Sequence, residues 1–328
     1  MFDFTYLILA FAGGMWGAAI GGLPSFVLCG ILAVVGLAIV LVTGDPTFVN
    51  EIAWGPFFGP HIAFTGGVAA AAYAAKVGKL ESGKDIITSL MGLNAPDVLL
   101  VGGVFGALGY TLNWLISLGP SIGDWPFTMS VPLALIIAGF ITRLAFGKTG
   151  MLGKVRAGDN RWAVSDVAMW LPWQEKPAML LLIGIAVALP AARIIQVMPA
   201  LFTFGFAMPA ISLIFLGTGS KFPVTHHIGV LSGFAVLVTG DLWWGVTFGV
   251  LGAFVAEWGA CLFHNHGDTH LDPPSIAVCI GWTLIAIIST TGLKDVGGIA
   301  SFIIAVVVSA ALYFLTTFMK KGGQKAAA

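Results

Sequence analysis

Charged residues are scarce in this chain. Only 9% of its 328 residues are Asp, Glu, Lys or Arg, whereas 58% are hydrophobic. A soluble domain carries about 25% charged residues, and a soluble fold of this length could not keep so much apolar surface away from water. The composition therefore predicts a membrane protein. Its 15 basic and 15 acidic residues balance, so no net field would attract nucleic acid.

Cysteine and enzyme motifs are scarce as well. Cys29, Cys261 and Cys279 lie in separate apolar runs, too few and too scattered for a disulfide framework or a thiolate metal site. The sequence contains no Walker loop, dinucleotide fingerprint or nucleophile elbow. No basic region precedes the first apolar run, so this run is interpreted as the first span and not as a signal peptide.

What the sequence does have is long, continuous apolar runs, which predict helices because backbone groups in lipid must bond internally. The predicted fold class is an all-α integral membrane protein, a polytopic bundle of about 10–11 transmembrane helices. Two of the predicted spans are short enough to indicate broken or re-entrant helices, namely 61–76 and 225–240. The eleven predicted spans are 4–22, 24–43, 61–76, 96–118, 127–147, 177–196, 199–216, 225–240, 243–263, 274–290 and 296–318.

Basic residues predict the orientation. They cluster in 76–84, 143–176 and 320–325, and none occurs in 44–60 or 119–126. The positive-inside rule then places the N-terminus outside and the C-terminus in the cytoplasm of a cell (inner) membrane. Residues 151–176 become a cytoplasmic amphipathic linker, whose tryptophans at positions 162, 170 and 173 are typical of an interfacial helix.

Two stretches indicate an internal repeat. Pro60–Ala69 resembles His226–Ala235, with His61 matching His227, and Asn94–Gly103 resembles Asp272–Gly281. The spacing in each case is about half the chain, so we expect membrane repeats at 1–150 and 177–328, with the second inverted relative to the first. By the predicted orientation, however, Asn94 and Asp272 lie on the same side, which inversion does not allow. Either a span crosses incompletely or the second match arises by chance.

Polar residues at membrane depth are functional candidates, since burying them in lipid is costly. The histidines that open the two short helices could meet a polar solute or an anion, as helix N-termini do. Capping explains Asn94 and Asp272 without a function, and Asp97 fits a first turn. Glu257, alone within a span, is the best candidate for a proton or ion site. The predicted substrate or ion pathway comprises His61, Asn94, Asp97, His226, His227 and Glu257.

The stretch HNHGDTHLDPP concentrates three of the six histidines of the chain. Imidazole nitrogens and a carboxylate at this spacing could bind one divalent metal ion such as zinc. The alternative is a solvated loop whose histidines bind nothing. The candidate metal ligands are His264, His266, Asp268 and His270.

Gly13, Gly17 and Gly21 form a small-residue face, which predicts close packing on a neighbouring helix or on a second copy in a homo-oligomer. The run SLMGLNAPDVLLVGG resembles the glycine- and asparagine-containing stretches of urea channels, which implies an architecture of two inverted halves and carries no individual residue over.

We therefore expect a transport protein for a small polar or ionic solute, with coupling to protons or cations. The alternatives are a passive channel of urea-channel-like architecture, a membrane-embedded metal-dependent enzyme, and a non-catalytic membrane subunit of a larger complex. The expected partners are the lipid bilayer and the solute.

Overall fold

The computed structural model describes residues 2–165 and 168–327, with side chains through residue 322. Its described residues form an all-helical bundle, apart from one short hairpin. The helices of the first half are α1 (Phe4–Ile20), α2 (Gly22–Thr43), α3 (Ala63–Lys76), α4 (Pro96–Ser117) and α5 (Ser130–Phe146). A π-helical turn at Phe48–Ala53 follows α2, a 3₁₀ turn at Leu90–Leu93 precedes α4, and strands β1 (Ser121–Ile122) and β2 (Trp125–Pro126) connect α4 to α5.

The second half begins after the linker. Its helices are α6 (Pro177–Val197), α7 (Phe204–Ser212), α8 (Ile214–Gly217), α9 (His226–Thr239), α10 (Leu242–Gly259), α11 (Pro273–Ser289) and α12 (Ile299–Ala327). Further short turns occur at Pro199–Leu201, Ala260–His264 and Gly292–Asp295. Each of the eleven predicted segments is thus helical, the segment 199–216 being divided between α7 and α8 after the helix-interior Pro209.

Among the residues that the structure describes, five helices are long and apolar enough to cross a membrane, namely α2, α4, α6, α10 with its following turn, and α12. Helices α3 and α9 have 14 residues each. At 1.5 Å per residue they reach about 21 Å, short of a hydrocarbon core of about 30 Å. The predicted shortness of these two segments is confirmed.

The three-glycine face of α1 is occupied inside the chain. A Cβ added at Gly17 would lie 1.9 Å from the carbonyl oxygen of Ala63, and one at Gly13 would lie 2.4 Å from that of Phe57. Gly21 has a φ of 99° and ends the helix. The neighbour on this face is therefore α3 of the same chain, and Gly13 and Gly17 are not open to a second copy.

Contacts along α4 show the helix directions in the first half. Ala10 and Gly14 lie against Gly106, whereas Ala18 lies against Gly102, so α1 and α4 run in opposite directions. Helix α3 also runs opposite to α4, since Gly66 contacts Gly102 and the carbonyl of His61 contacts Gly109. Helix α3 therefore begins well inside the bundle, next to the middle of α4.

The second half shows the same arrangement around α10. Gly245 lies against Ala192 of α6, and Gly249 lies against Ala188, so α6 and α10 run in opposite directions. Gly245 also meets Val236 of α9, and Gly252 meets Leu231 and the carbonyl of His227. Helix α9 therefore begins next to the middle of α10, as α3 does next to α4.

The two short helices point in opposite directions. The rings of Phe234 and Trp282 pack 5.0 Å apart while His226 meets Asp272 in a common cavity, so α9 runs parallel to α11. In the first half, α3 runs parallel to α5, since Phe64 and Leu135 share a cavity and the rings of Tyr73 and Phe146 pack 5.4 Å apart.

Helices α5 and α11 are antiparallel, because Gly139 lies beside Leu271 whereas the Phe127 carbonyl before α5 accepts a hydrogen bond from Thr283 at 2.9 Å. Helices α3 and α9 therefore diverge from the centre of the bundle.

Residues of the linker form turns and extended segments over 147–165 and 168–176, so the predicted interfacial helix is wrong for these residues. Its tryptophans bond to the bundle instead. The backbone N–H of Trp170 donates to Asn265 Oδ1 at 2.9 Å, and Trp173 Nε1 donates to the Phe222 carbonyl at 3.0 Å. The buried side chain of Gln174 exchanges two hydrogen bonds with the backbone of Val224. The bond from Trp170 uses a backbone N–H that a helix would need, and the bonds of Trp173 and Gln174 hold the linker against the loop before α9.

Candidate functional site

Two cavities lie between the halves, on either side of a thin partition. The linker chamber, of about 290 Å³, reaches the linker and the start of α2, and is lined by Leu23, Lys84, Trp170, Trp173, His264 and His270. The opposite chamber, of about 260 Å³, reaches the turn after α2 and the starts of α5 and α7, and is lined by Asn50, Trp54, Met129, Phe202, Thr203 and Val278. Phe26, His226, Asp272 and Pro274 line both chambers, and we call these four residues the partition.

The partition contains two helix starts. His226 is the first residue of α9, and Asp272 is the N-cap of α11, where its Oδ2 accepts from Ser275 N at 2.9 Å and from Ser275 Oγ at 2.6 Å. The ring of Phe26 packs on His226 at 4.8 Å and on Phe64 of α3 at 5.5 Å between centroids. Each of the two helix starts contributes a positive dipole end, and the Asp272 carboxylate places a negative charge at that of α11.

A chain of polar side chains extends from the partition into the linker chamber. His270 Nε2 lies 3.4 Å from Asp272 Oδ1, a long contact. The rings of His264 and His270 lie 4.9 Å apart, nearly perpendicular, and His264 Nδ1 lies 3.0 Å from the Leu271 carbonyl. His226 forms no side-chain hydrogen bond with a described residue, and its Nδ1 is sealed from water. The partition therefore offers one carboxylate and one histidine ring, and the linker chamber adds the rings of His264 and His270.

The predicted pathway residues do not all meet here. His226 lines both chambers, whereas His61 and His227 are buried in helix packing and line none of the described cavities. Asn94 is exposed, in a left-handed conformation at φ 49°, and ends the 3₁₀ turn. Ala95 occupies the N-cap position of α4, so the capping role predicted for Asn94 is wrong, while that of Asp272 is confirmed.

Two further acids of the predicted pathway have partners elsewhere. Asp97 forms a surface ion pair with Lys79 at 3.0 Å and accepts from the Tyr73 hydroxyl. Glu257 is 5% exposed and accepts from Lys320 Nζ at 2.8 Å, and the same ammonium contacts Glu175 of the linker. This cluster joins α10, α12 and the linker and lines neither chamber.

The candidate metal ligands diverge. Asp268 accepts from Lys148 N at 2.6 Å and from Thr149 Oγ1 at 2.7 Å, and His266 Nε2 contacts the Arg161 carbonyl at 3.3 Å. Only His264 and His270 lie side by side. Within the part of the chain that the structure describes, no three His, Cys, Asp or Glu side chains come together as a metal site. The four-ligand arrangement predicted for 264–270 is not formed.

The pKa of Asp268 reflects these contacts. Partial burial acts to raise it, but the hydrogen bonds from Lys148 N and Thr149, together with the charge of Arg143, outweigh burial and lower the pKa. Asp268 is thus a stable anion that anchors the loop to the start of the linker. For His266, partial burial lowers the pKa.

Arg143, which sequence reasoning counted only as a topological charge, organises this loop. It is fully buried at the end of α5 and donates to Thr269 Oγ1 at 3.1 Å, to the Thr269 carbonyl at 2.7 Å, to the Met151 carbonyl at 3.0 Å and to the Phe263 carbonyl. One signal of this role was visible in the sequence, an arginine within the apolar run of α5, in its last turn. Phe26, Trp54 and Thr203 carried no signal, because each lies among similar residues.

Fold and site together define a helical bundle with several membrane-length apolar helices and an internal, two-chambered cavity. The chain belongs to a family of unknown function (DUF7973), whose profile matches residues 1–164 and again residues 153–303. Neither the curated proteins nor the solved structures gave a match.

Proposed function

We propose that the protein carries a small solute across a membrane through the two chambers, and that the partition is the gate. The observation that carries this proposal is that one set of four residues lines both cavities. The start of α2 borders the linker chamber, whereas the turn after α2 and the start of α5 border the opposite chamber, so a solute passing the partition would move from the linker end of the bundle towards the other end. Cavities of this size suit a small molecule.

We further propose that the chain is an inverted repeat. Helices α1, α2, α3, α4 and α5 would correspond to α6, α7, α9, α10 and α11. Each set has a short helix that begins at mid-bundle, and these two helices diverge. The two matches of one family profile support this pairing. Under it α4 corresponds to α10 and not to α11, so the likeness between Asn94 and Asp272 arises by chance. Transporters commonly place their sites where such broken helices meet.

The basic residues indicate how the chain is oriented in the membrane. Lys76, Lys84, Lys148, Lys154 and Arg156 gather at the linker end of the bundle, whereas Asp3 and the start of α1 lie beside Tyr110, near the end of α4. Basic residues on one side favour a cytoplasmic linker, with the N-terminus outside and the C-terminus inside.

Asp272 and its histidine neighbours give the gate titratable groups in a mostly apolar passage, which favours proton coupling over passive flow. The test is uptake of a panel of small solutes into proteoliposomes, with and without a pH gradient. Asp272→Asn keeps a capping side chain and removes the charge, so we expect gradient-driven uptake to fall by about tenfold or more, the scale of about 1.4 kcal/mol. Asp97→Asn, at a surface ion pair, is the matched control.

Other outcomes choose between the alternatives. Uptake that depends neither on the gradient nor on the Asp272→Asn substitution would support the passive channel. That alternative is favoured by the partition itself, in which the same side chains face both chambers. Absence of uptake for every solute would contradict transport and favour the membrane-embedded enzyme or the membrane subunit of a larger complex.

A further inference from the structure

A further cavity lies outside the two chambers, at the linker end of the bundle. This cavity, the basic cleft, has a volume of about 520 Å³. Its walls come from the end of α3, the loop at 81–84, the residues after α5, the linker and the loop at 265–269. Both halves and the linker therefore contribute. Its cationic lining residues are Lys76, Lys84, Lys148, Lys154 and Arg156.

Acidic residues do not balance this charge. Glu81 and Asp268 are the acids that line the cleft, against five cations. Asp268 is already engaged by Lys148 N and Thr149 Oγ1. The cleft thus carries an excess of three positive charges, five minus two.

The cations are available to a ligand. Lys76 Nζ donates to the Ala145 carbonyl at 2.8 Å and Lys84 Nζ to the Asn265 carbonyl at 3.1 Å, and neutral carbonyls leave both charges uncompensated. The side chains of Lys148, Lys154 and Arg156 form no hydrogen bond with any residue the structure describes.

The pKa of Lys84 reflects its burial and the positive charges around it. Burial, and then repulsion from Arg143 and Arg156, lowers its pKa to about 8, and the attraction of Asp268 does not compensate. A polar cleft that concentrates like charges to this degree is stabilised when an anion enters it.

We propose that the basic cleft binds a phosphate-bearing anion. Lys154 and Arg156 would approach from the linker, and Lys84 would supply the charge at the floor. A planar guanidinium can bind two phosphate oxygens at once, and lysines add point charges around it. The ligand would bridge the halves where they already pair, since Gly83 and Thr269 form a backbone bridge and His270 N donates to the Gly83 carbonyl at 3.2 Å. This site does not depend on the proposed transport.

Two sources can present the same chemistry: a soluble phosphate compound or the headgroup of an acidic phospholipid. Calorimetric titration of the purified full-length protein in neutral detergent with pyrophosphate tests the first. Nanodiscs of phosphatidylcholine, with or without phosphatidic acid, test the second through the thermal midpoint of unfolding.

The key variant is Lys154→Gln/Arg156→Gln, two exposed residues whose loss leaves the core intact. Lys176→Gln/Lys221→Gln is the matched control, because it removes the same charge from exposed positions outside the cleft. We expect the first pair to weaken binding by about tenfold or more, since it removes two charge-assisted contacts, and the control pair to change it little.

Saturable pyrophosphate binding lost only in the cleft variant supports the soluble source. Stabilisation by phosphatidic acid, lost only in that variant, supports the lipid source. Absence of both effects in the wild type, or equal losses in the two variants, would overturn the site and show that the lysines serve only the orientation of the chain.

Discussion

The guanidinium of Arg143 donates to the carbonyl oxygen of Thr269 at 2.7 Å, which ties the last turn of α5 to the loop that leads into Asp272. One fully buried side chain thereby connects the first half of the bundle to the loop before the partition. The histidines of this loop owe their placement to an arginine more than 120 residues earlier in the chain.

Arg143→Met is expected to destabilise the protein strongly. The substitution removes four hydrogen bonds and leaves buried carbonyls of Phe263 and Thr269 without a donor. Unsatisfied buried groups cost about 1–3 kcal/mol each, so a loss on the order of 3 kcal/mol is expected. The measurement is the thermal midpoint in detergent. Arg193→Met, at an exposed site, is the control, and equal midpoints for the two variants would contradict the assigned role.

The fold was largely predictable from sequence because apolar runs and breakers are local signals. All eleven segments are helical, and the shortness of 61–76 and 225–240 was visible in the residues around them. The inverted repeat, which two short matches predict, stays a prediction, because the contacts that would pair the halves, such as Gly66 with Gly102, join residues far apart in the chain. Under the proposed pairing, Asn94 resembles Asp272 only because an N-cap-like residue followed by proline is common at helix starts.

The site was predictable only in part, for a physical reason. A polar residue in an apolar run signals burial, and His226 fits that signal. What a buried group faces depends on packing, and here Glu257 meets Lys320 of α12 while Asp272 meets the chambers. The histidines of 264–270 were conspicuous in sequence, yet Asp268 and His266 bind the backbone of neighbouring loops. Aromatic lining residues such as Phe26 cannot be told from other packing residues by sequence.

A substitution at Glu257 can distinguish a structural role from a role as an ion or proton site. In the structure its carboxylate, Lys320 and Glu175 form one cluster, so we expect Glu257→Gln to lower stability and leave gradient-driven uptake close to that of the wild type. Lys320→Met should destabilise more, because it leaves two buried carboxylates without their common cation. In a double-mutant cycle, the paired variant should cost less than the sum of the singles by about 1–3 kcal/mol.

The cycle is read from thermal midpoints, with uptake measured in parallel. Loss of proton coupling in a well-folded Glu257→Gln protein would contradict the structural role. That result would instead support the ion or proton site that the sequence predicts.

Lys84 gives the protein a stability that depends on pH. Burial, followed by repulsion from Arg143 and Arg156, lowers its pKa from 10.5 to about 8. Between these two values the unfolded chain binds the proton and the folded chain does not, so unfolding takes up protons and the free energy of unfolding rises with pH. Below about pH 8 the lysine is charged in both states, and the free energy of unfolding no longer depends on pH through this group.

We therefore expect the thermal midpoint of the wild type to rise relative to that of Lys84→Met as the pH increases from 8 towards 10, because methionine cannot titrate. The cleft variant Lys154→Gln/Arg156→Gln should shift the start of this rise to higher pH, since it removes one of the charges that repel Lys84. A constant difference between wild type and Lys84→Met across this range would show that Lys84 titrates in the folded protein as it does in the unfolded chain.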